Sequence, residues 1–337
     1  MNDLPLPPCD DRRIWDVFLS ANHYPTLIAA VEIGFFEELA HGPKTLQELQ
    51  DALHLNRRPI EVLASLMSAL GFISSDGETW RNSDIASTYL IRESRYFWGG
   101  MFSHDRDLAI TGGGVADALK RDEPTTPHGG SMWSSNSRRP GQAASFTAAM
   151  HSHTFAAAVR AATVIDLCDV RRLLDVGGGS GCFAAAVASK FQHLSVTVAE
   201  LPEVAAITKE YLQALGVKDR VDVINFDMFA PDWPTGFDAI LLSNILHDWN
   251  DEQCSAILKN AYSMLPAGGT LYVFEMLLND LRTGPLSASS FSVTMLRLTH
   301  GRQRSSHELL SLCISVGFSS FSIEASSGYY SLCKAIK

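Results

Sequence analysis

The chain has 337 residues with 46% hydrophobic and 19% charged content, enough for about two globular domains with a large core. Its formal net charge is −10, and it has no dense block of Lys and Arg to serve as a phosphate-backbone footprint, so no nucleic acid partner is expected. No uncharged apolar stretch reaches bilayer-spanning length, so no membrane partner is expected either.

Residues 1–100 read as a first domain, with short helices from residue 12 to about 100. Ile14, Val17 and Phe18, then Leu27, Ile28, Val31, Phe35, Phe36 and Leu39, recur at helical spacing. Gly34 interrupts the second run and Gly42-Pro43 ends it. Thr45-Leu46-Gln47-Glu48 has the spacing of a capping box and predicts a helix over 46–53. Pro59 marks a further helix start, and that helix runs through Leu63, Leu66, Met67 and Leu70 to Gly71. Phe72-Ile73-Ser74 and Thr79-Trp80-Arg81 flank Asp76-Gly77, a hairpin turn signal. Helix, helix and hairpin make a winged-helix-like pattern. The second helix carries Gln47, Glu48 and Asp51 in an acidic chain, so homodimerisation through this domain is expected rather than DNA binding.

Residues 101–337 read as the second domain, with 101–170 a helical linker and substrate-pocket region. Segments 111–114 and 125–140 are loop-like, and a helix is expected from Ala143 to about Cys168. From Arg172 onward strand and helix patterns alternate. Strands are predicted at 173–176, 195–200, 221–225, 239–243 and 270–275, with closing strands at 319–324 and 329–334. Helices are predicted at 183–190, 204–215, 252–265 and 307–316. The alternation predicts an α/β, Rossmann-like, mostly parallel doubly wound sheet.

The six cysteines (Cys9, Cys168, Cys182, Cys254, Cys313, Cys333) form no Cys-x-x-Cys pair, which speaks against a zinc knuckle or a disulfide framework. The opening residues Met1 to Pro5 lack the basic segment and apolar core of a signal peptide. A reduced, cytoplasmic setting is expected.

Three motifs stand at successive strand ends. Asp175-Val176-Gly177-Gly178-Gly179-Ser180-Gly181 follows the first strand, with glycines spaced Gly-x-Gly-x-Gly behind an acid. That differs from the dinucleotide fingerprint and suits a ligand without pyrophosphate that carries a cationic portion near Asp175. Glu200 ends the second strand, where a carboxylate takes both ribose hydroxyls. Asp227-Met228 follows the third, where an acid accepts from an adenine amino group and Met covers its face. Together they describe S-adenosylmethionine (SAM). A fourth motif, Leu246-His247-Asp248-Trp249, follows the strand at 239–243. An imidazole and a carboxylate there read either as a base with its partner or as two metal ligands.

These motifs, with Leu201-Pro202-Glu203-Val204 and Pro266-Ala267-Gly268-Gly269, resemble those of small-molecule O-methyltransferases of the caffeate and hydroxyindole type. The resemblance extends over nearly the whole chain. It implies a helical dimerisation domain, a SAM-binding Rossmann-like domain and a substrate pocket between them. By resemblance, Asp175, Gly177, Gly179, Gly181, Glu200, Leu201, Asp227, Met228 and Ser243 belong to the cofactor site. Phe146 and Met150 match residues near the reacting methyl group, and His247 matches the general base, flanked by the acid at Glu275.

The chain departs from that pattern at Thr299-His300-Gly301-Arg302-Gln303-Arg304-Ser305. A second flanking glutamate is replaced by Gln303, and a glycine by His300. His247, Asp248 and His300 then compose a two-histidine, one-carboxylate set of the kind that holds non-haem iron. A metal-dependent sub-branch, similar to the phenylpyruvate and methylarginine pathway C-methyltransferases, carries such a set by resemblance. The expected function is therefore SAM-dependent C-methylation at C3 of a 2-oxo acid through a metal-stabilised enolate, in β-methyl amino acid and peptide natural-product biosynthesis. The expected cofactors are SAM and a divalent or trivalent metal ion, iron. The rivals are a metal-free O-methyltransferase of a phenolic or polyketide hydroxyl with His247 as base, and a winged-helix regulator that keeps SAM as effector. Arg297, three residues before His300, is a candidate for the substrate carboxylate. Trp98, Phe102, Trp133, Phe146 and Phe291 are candidate pocket aromatics, and Asp105 and Asp107 candidates for a cationic substrate tail.

Overall fold

The computed structural model describes residues 12–106, 112–125 and 141–337. The chain divides into two compact units, Met1–Leu108 and Ala109–Lys337. Asp107 and Trp133 lie outside the described residues.

The first unit holds α1 (Arg12–Ser20), α2 (His23–Glu32), α3 (Phe35–Ala40), α4 (Leu46–Leu53), α5 (Arg57–Ala69), β1 (Ile73–Ser75), β2 (Trp80–Asn82), α6 (Asp84–Tyr89) and α7 (Gly99–Arg106). Thr45 and Glu48 cap α4 reciprocally, each satisfying a backbone N–H that the first turn leaves free. Asp76 accepts from the backbone N–H groups of Glu78 and Thr79 and so folds the β1–β2 hairpin. The apolar stripes meet in one core, with Phe35, Phe36, Leu49, Ile60 and Met67 fully buried. Trp98 and Phe102 pack against this unit's own core. Asp105 accepts from the Tyr24 hydroxyl at 2.8 Å, so it is already engaged.

The second unit holds α8 (Gly112–Arg121), α9 (Gln142–Val164), β3 (Arg172–Val176), α10 (Cys182–Lys190), β4 (Ser195–Glu200), α11 (Pro202–Ala214), β5 (Val221–Asn225) and β6 (Ala239–Ser243). A 3-10 turn (Leu246–Asp248) follows, then α12 (Asp251–Met264), β7 (Thr270–Met276), α13 (Leu286–Leu298), α14 (Ser306–Val316), β8 (Ser320–Ser327) and β9 (Tyr330–Ile336). The sheet order is β5-β4-β3-β6-β7-β9-β8. The strands β5 to β7 run parallel, and β9 lies antiparallel to both β7 and β8. β6 is buried at every position, as a strand covered by helices on both faces must be.

Several elements differ from the sequence reading. Gly112–Gly114, expected as loop, form the first turn of α8. α9 ends at Val164 rather than near 168, because Ile165 turns to extended backbone. α13 was not among the predicted helices. Its Ser-rich sequence gives no strong apolar period, and its helical state comes from packing. Strand order reverses between β3 and β6, and the crevice at that switch point receives the ends of both strands. Among the described residues no helix is long and apolar enough to cross a membrane.

Candidate active site

The cofactor motifs converge at the carboxyl ends of β3, β4, β5 and β6. Gly177, Gly179 and Gly181 all have positive φ, at +66°, +58° and +73°, which L-residues with side chains rarely adopt. A Cβ at Gly177 would strike Ile245 Cδ1 at 2.5 Å, and Met228 Cε lies 3.2 Å from the same point. Met228 therefore borders the turn as expected for a base-covering residue. A Cβ at Gly179 would meet nothing, so this backbone faces open space. Gly179 N–H and Leu201 N–H donate to the two oxygens of Glu200 at 2.9 and 2.8 Å, fixing that carboxylate. Asp227 is exposed and turns its Oδ1 to the N–H of Phe229.

Asp175 is fully buried and neither carboxylate oxygen has a hydrogen-bond partner of normal geometry. Burial and then the nearby Glu200 charge push it up to about 7, while the Ala184 backbone N–H pulls the other way. A buried carboxyl left so is the natural partner of a cationic ligand group. Ser243 Oγ, at the end of β6, is likewise buried and unpaired. These orphaned groups, the open glycine turn and the strand-end acids fit SAM. Asp175 would face its charged portion, Glu200 its ribose and Asp227-Met228 its base. Glu200→Gln is expected to weaken SAM binding roughly tenfold to a hundredfold. Titration calorimetry measures this, and an unchanged dissociation constant would remove Glu200 from the site.

Sequence reasoning missed two contacts, the first of them on α9. The His151 ring on α9 shares a hydrogen bond with Ser180 Oγ at 2.8 Å and lies against Phe155 and Tyr211, at 5.0 and 4.5 Å between centroids. Burial holds its pKa down to about 4, so the ring is neutral and ties α9 to the glycine turn. Phe146 and Met150 precede it on the same helix, one turn apart.

The second half of the site is the turn after β6. His247 and Asp248 are both buried, at 6% and 7% exposed. Ser243 pairs with Phe274 across β6 and β7, which places Glu275 level with the turn. Its Oε1 accepts from the backbone N–H groups of Ile245 and Leu246 at 3.1 and 3.0 Å, and Oε2 lies 2.6 Å from His247 Nδ1. Asp248 Oδ1 lies 3.7 Å from His247 Nε2. Phe291 of α13 sets its ring edge-on to the imidazole, 5.4 Å between centroids. Burial alone would lower the His247 pKa, but the carboxylates of Glu275 and Asp248 outweigh it and raise it above the ordinary histidine value. Burial also raises Asp248, against the pull of His247.

Arg304, missed by the sequence reading except as part of its segment, clamps this turn. Its guanidinium donates to the carbonyls of Leu246 and Trp249 at 2.7 and 2.8 Å and to Asp251 at 2.7 Å. No short-range sequence signal announces such a contact.

The expected iron set is not assembled. His300 is exposed, whereas His247 and Asp248 are buried. Among the described residues no group of three or more His, Cys, Asp or Glu side chains is placed to hold a metal ion. The donor set therefore does not fit a metal. Arg297 does not share a helix with His300, and its Nε is buried without a hydrogen-bond partner among the described residues. α13 ends at Leu298 and Thr299 is extended, so Arg297 and His300 share no helix face. Six positions beyond Phe291, Arg297 projects roughly 120° away from it around the helix.

Comparison with known proteins places these features in context. The O-methyltransferase domain family model matches residues 114–319. A 3-hydroxy-5-methyl-1-naphthoate 3-O-methyltransferase of Streptomyces sahachiroi is 35% identical over 82% of this chain and 80% of its own. An N,N-dimethyltransferase, OxyT, of Streptomyces rimosus is 29% identical over 89% and 87% of the two chains. The crystal structure of human N-acetylserotonin methyltransferase in complex with SAM superposes with a TM-score of 0.83 at 26% identity, covering 98% of this chain and 99% of that one.

Proposed function

The chain belongs to the O-methyltransferase family and is a SAM-dependent methyltransferase, and from that premise we propose that it methylates the hydroxyl of an aromatic acceptor with His247 as general base. The observation that carries this reading is the buried His247–Glu275 pair at 2.6 Å. In the neutral ring Nδ1–H donates to Glu275, which fixes the tautomer and leaves the Nε2 lone pair free. A hydroxyl presented there passes its proton to Nε2 as its oxygen takes the methyl group. Bound SAM supplies that methyl on a sulfonium centre. The imidazolium so formed lies between Glu275 and Asp248, two carboxylates that stabilise it in a dry site.

C-methylation of a 2-oxo acid, the leading expectation from sequence, is not carried forward. It required His300 as a ligand, and His300 is exposed. The relative at 35% identity is named for methylation of an aromatic hydroxyl. The test is a panel of hydroxyarenes, aryl amines and 2-oxo acids with methyl-labelled SAM. Label in an aryl ether is the expected product; label on carbon or nitrogen alone would overturn the proposal.

The raised His247 pKa has a sign that can be checked. The base must be neutral to accept a proton, so kcat/KM falls as pH drops through a pKa lying above the ordinary histidine value. Glu275→Gln keeps an oxygen for the backbone N–H groups but removes the charge. Its limb should therefore move to lower pH by about one to three units. A pH profile of kcat/KM on one substrate compares the two proteins, and coincident limbs would rule out Glu275 as the cause.

A further inference from the structure

Gln303 carries an amide that nothing among the described residues uses. The residue is 1% exposed, and neither Oε1 nor Nε2 has a hydrogen-bond partner. Its neighbours show where the side chain points. Arg302 and Arg304 both reach Asp251, at 3.6 and 2.7 Å. In an extended segment side chains alternate, which sets the Gln303 side chain opposite those two.

That other side is lined by α13. Gln303 N–H donates to Ser292 Oγ at 3.2 Å, and the adjacent Phe291 packs against His247. Ser287, one turn before Phe291, holds a second buried hydroxyl without a partner. Two residues before Gln303, the backbone of Gly301 lies directly against the His247 carbonyl. The unused amide therefore borders the same space as the base. Buried amides are almost always hydrogen-bonded, so this one calls for a partner from outside the described residues.

We propose that Gln303 is a specificity-determining residue. Its Nε2–H donates to a second oxygen of the acceptor, a carbonyl or carboxylate on the same ring system as the methylated hydroxyl. This assignment rests on His247 acting on an aromatic hydroxyl. The neutral amide matters because a glutamate at this position offers no donor when ionised and repels an anionic oxygen. The Glu-to-Gln departure then widens the substrate class instead of weakening the base.

The test is a ratio. Purified full-length protein is assayed with a hydroxynaphthoate and with the matching naphthol lacking the carboxylate, and kcat/KM is measured for each. The wild type should prefer the hydroxynaphthoate. Gln303→Leu should shrink that preference about tenfold to a hundredfold, chiefly through KM. Gln303→Glu, almost the same shape, should reverse it, which covers the case where the leucine variant fails to fold. A merely structural role lowers both substrates together, so an unchanged ratio in the variants overturns the assignment. Absence of ether product from either naphthalene in the wild type fails the base reading beneath it, and the proposal with it.

Discussion

His247→Gln is expected to lower kcat by about two to four orders of magnitude, with SAM affinity held close to that of the wild type. The substitution removes the imidazole whose Nδ1 is fixed by Glu275 and whose Nε2 is the proposed proton acceptor. Glutamine is close in length and its amide can donate to Glu275, so a buried carboxylate is not stranded. That control matters, because an unpaired buried charge destabilises by several kcal/mol and would mimic a catalytic defect. Single-turnover assay of ether formation, with calorimetric SAM titration and a melting curve, separates chemistry from binding and folding. A variant with wild-type turnover would remove His247 as the base.

Gly301→Ala is expected to have the second-largest effect, with kcat lowered on the order of a hundredfold and stability lowered by about 1–3 kcal/mol. Gly301 does not have positive φ, so the cost is steric. A Cβ there would overlap the His247 carbonyl oxygen and the Asp248 carbonyl carbon. The turn cannot move aside cheaply. Arg304 holds the carbonyls of Leu246 and Trp249, Glu275 holds the N–H groups of Ile245 and Leu246, and Cys254 Sγ–H donates to the Leu246 carbonyl at 3.2 Å. Relief must come from displacing either that network or the 299–304 segment. Both routes shift His247. Urea denaturation and kcat on the same preparation check this, and unchanged values for both would show that the segment yields freely.

The N-terminal elements were legible because their signals are local. Thr45 and Glu48 lie three residues apart, and the cap they form needs nothing from the rest of the chain. The same holds for Asp76-Gly77. The parallel strands were legible because a strand buried on both faces, such as Ala239–Ser243, is apolar throughout. α13 was not, because its burial is one-sided and its Ser residues blur the helical period. Arg304 and His151 were missed for a different reason. Their partners, Leu246 and Ser180, are distant in sequence, and no spacing rule connects them.

The sequence by itself determined the architecture of the second unit and the cofactor motifs. Each cofactor residue sits at a short, fixed offset from a strand end, and parallel strands in register bring those ends together. The same reading could not decide what His247 does. Counting residue types put His300 beside it and left Gln303 as a loss. Only the tertiary structure decided where His300 and Gln303 lie, through one close approach. Gly301 lies backbone to backbone on the His247 turn, and Arg302 and Arg304 reach together for Asp251. In that arrangement His300 stands at the surface and Gln303 turns inward. Glu275, 28 residues beyond His247 in sequence, arrives level with the imidazole because β7 pairs with β6. Which atom faces which is set by those long-range contacts, and they keep His300 apart from His247 while setting Glu275 on its imidazole.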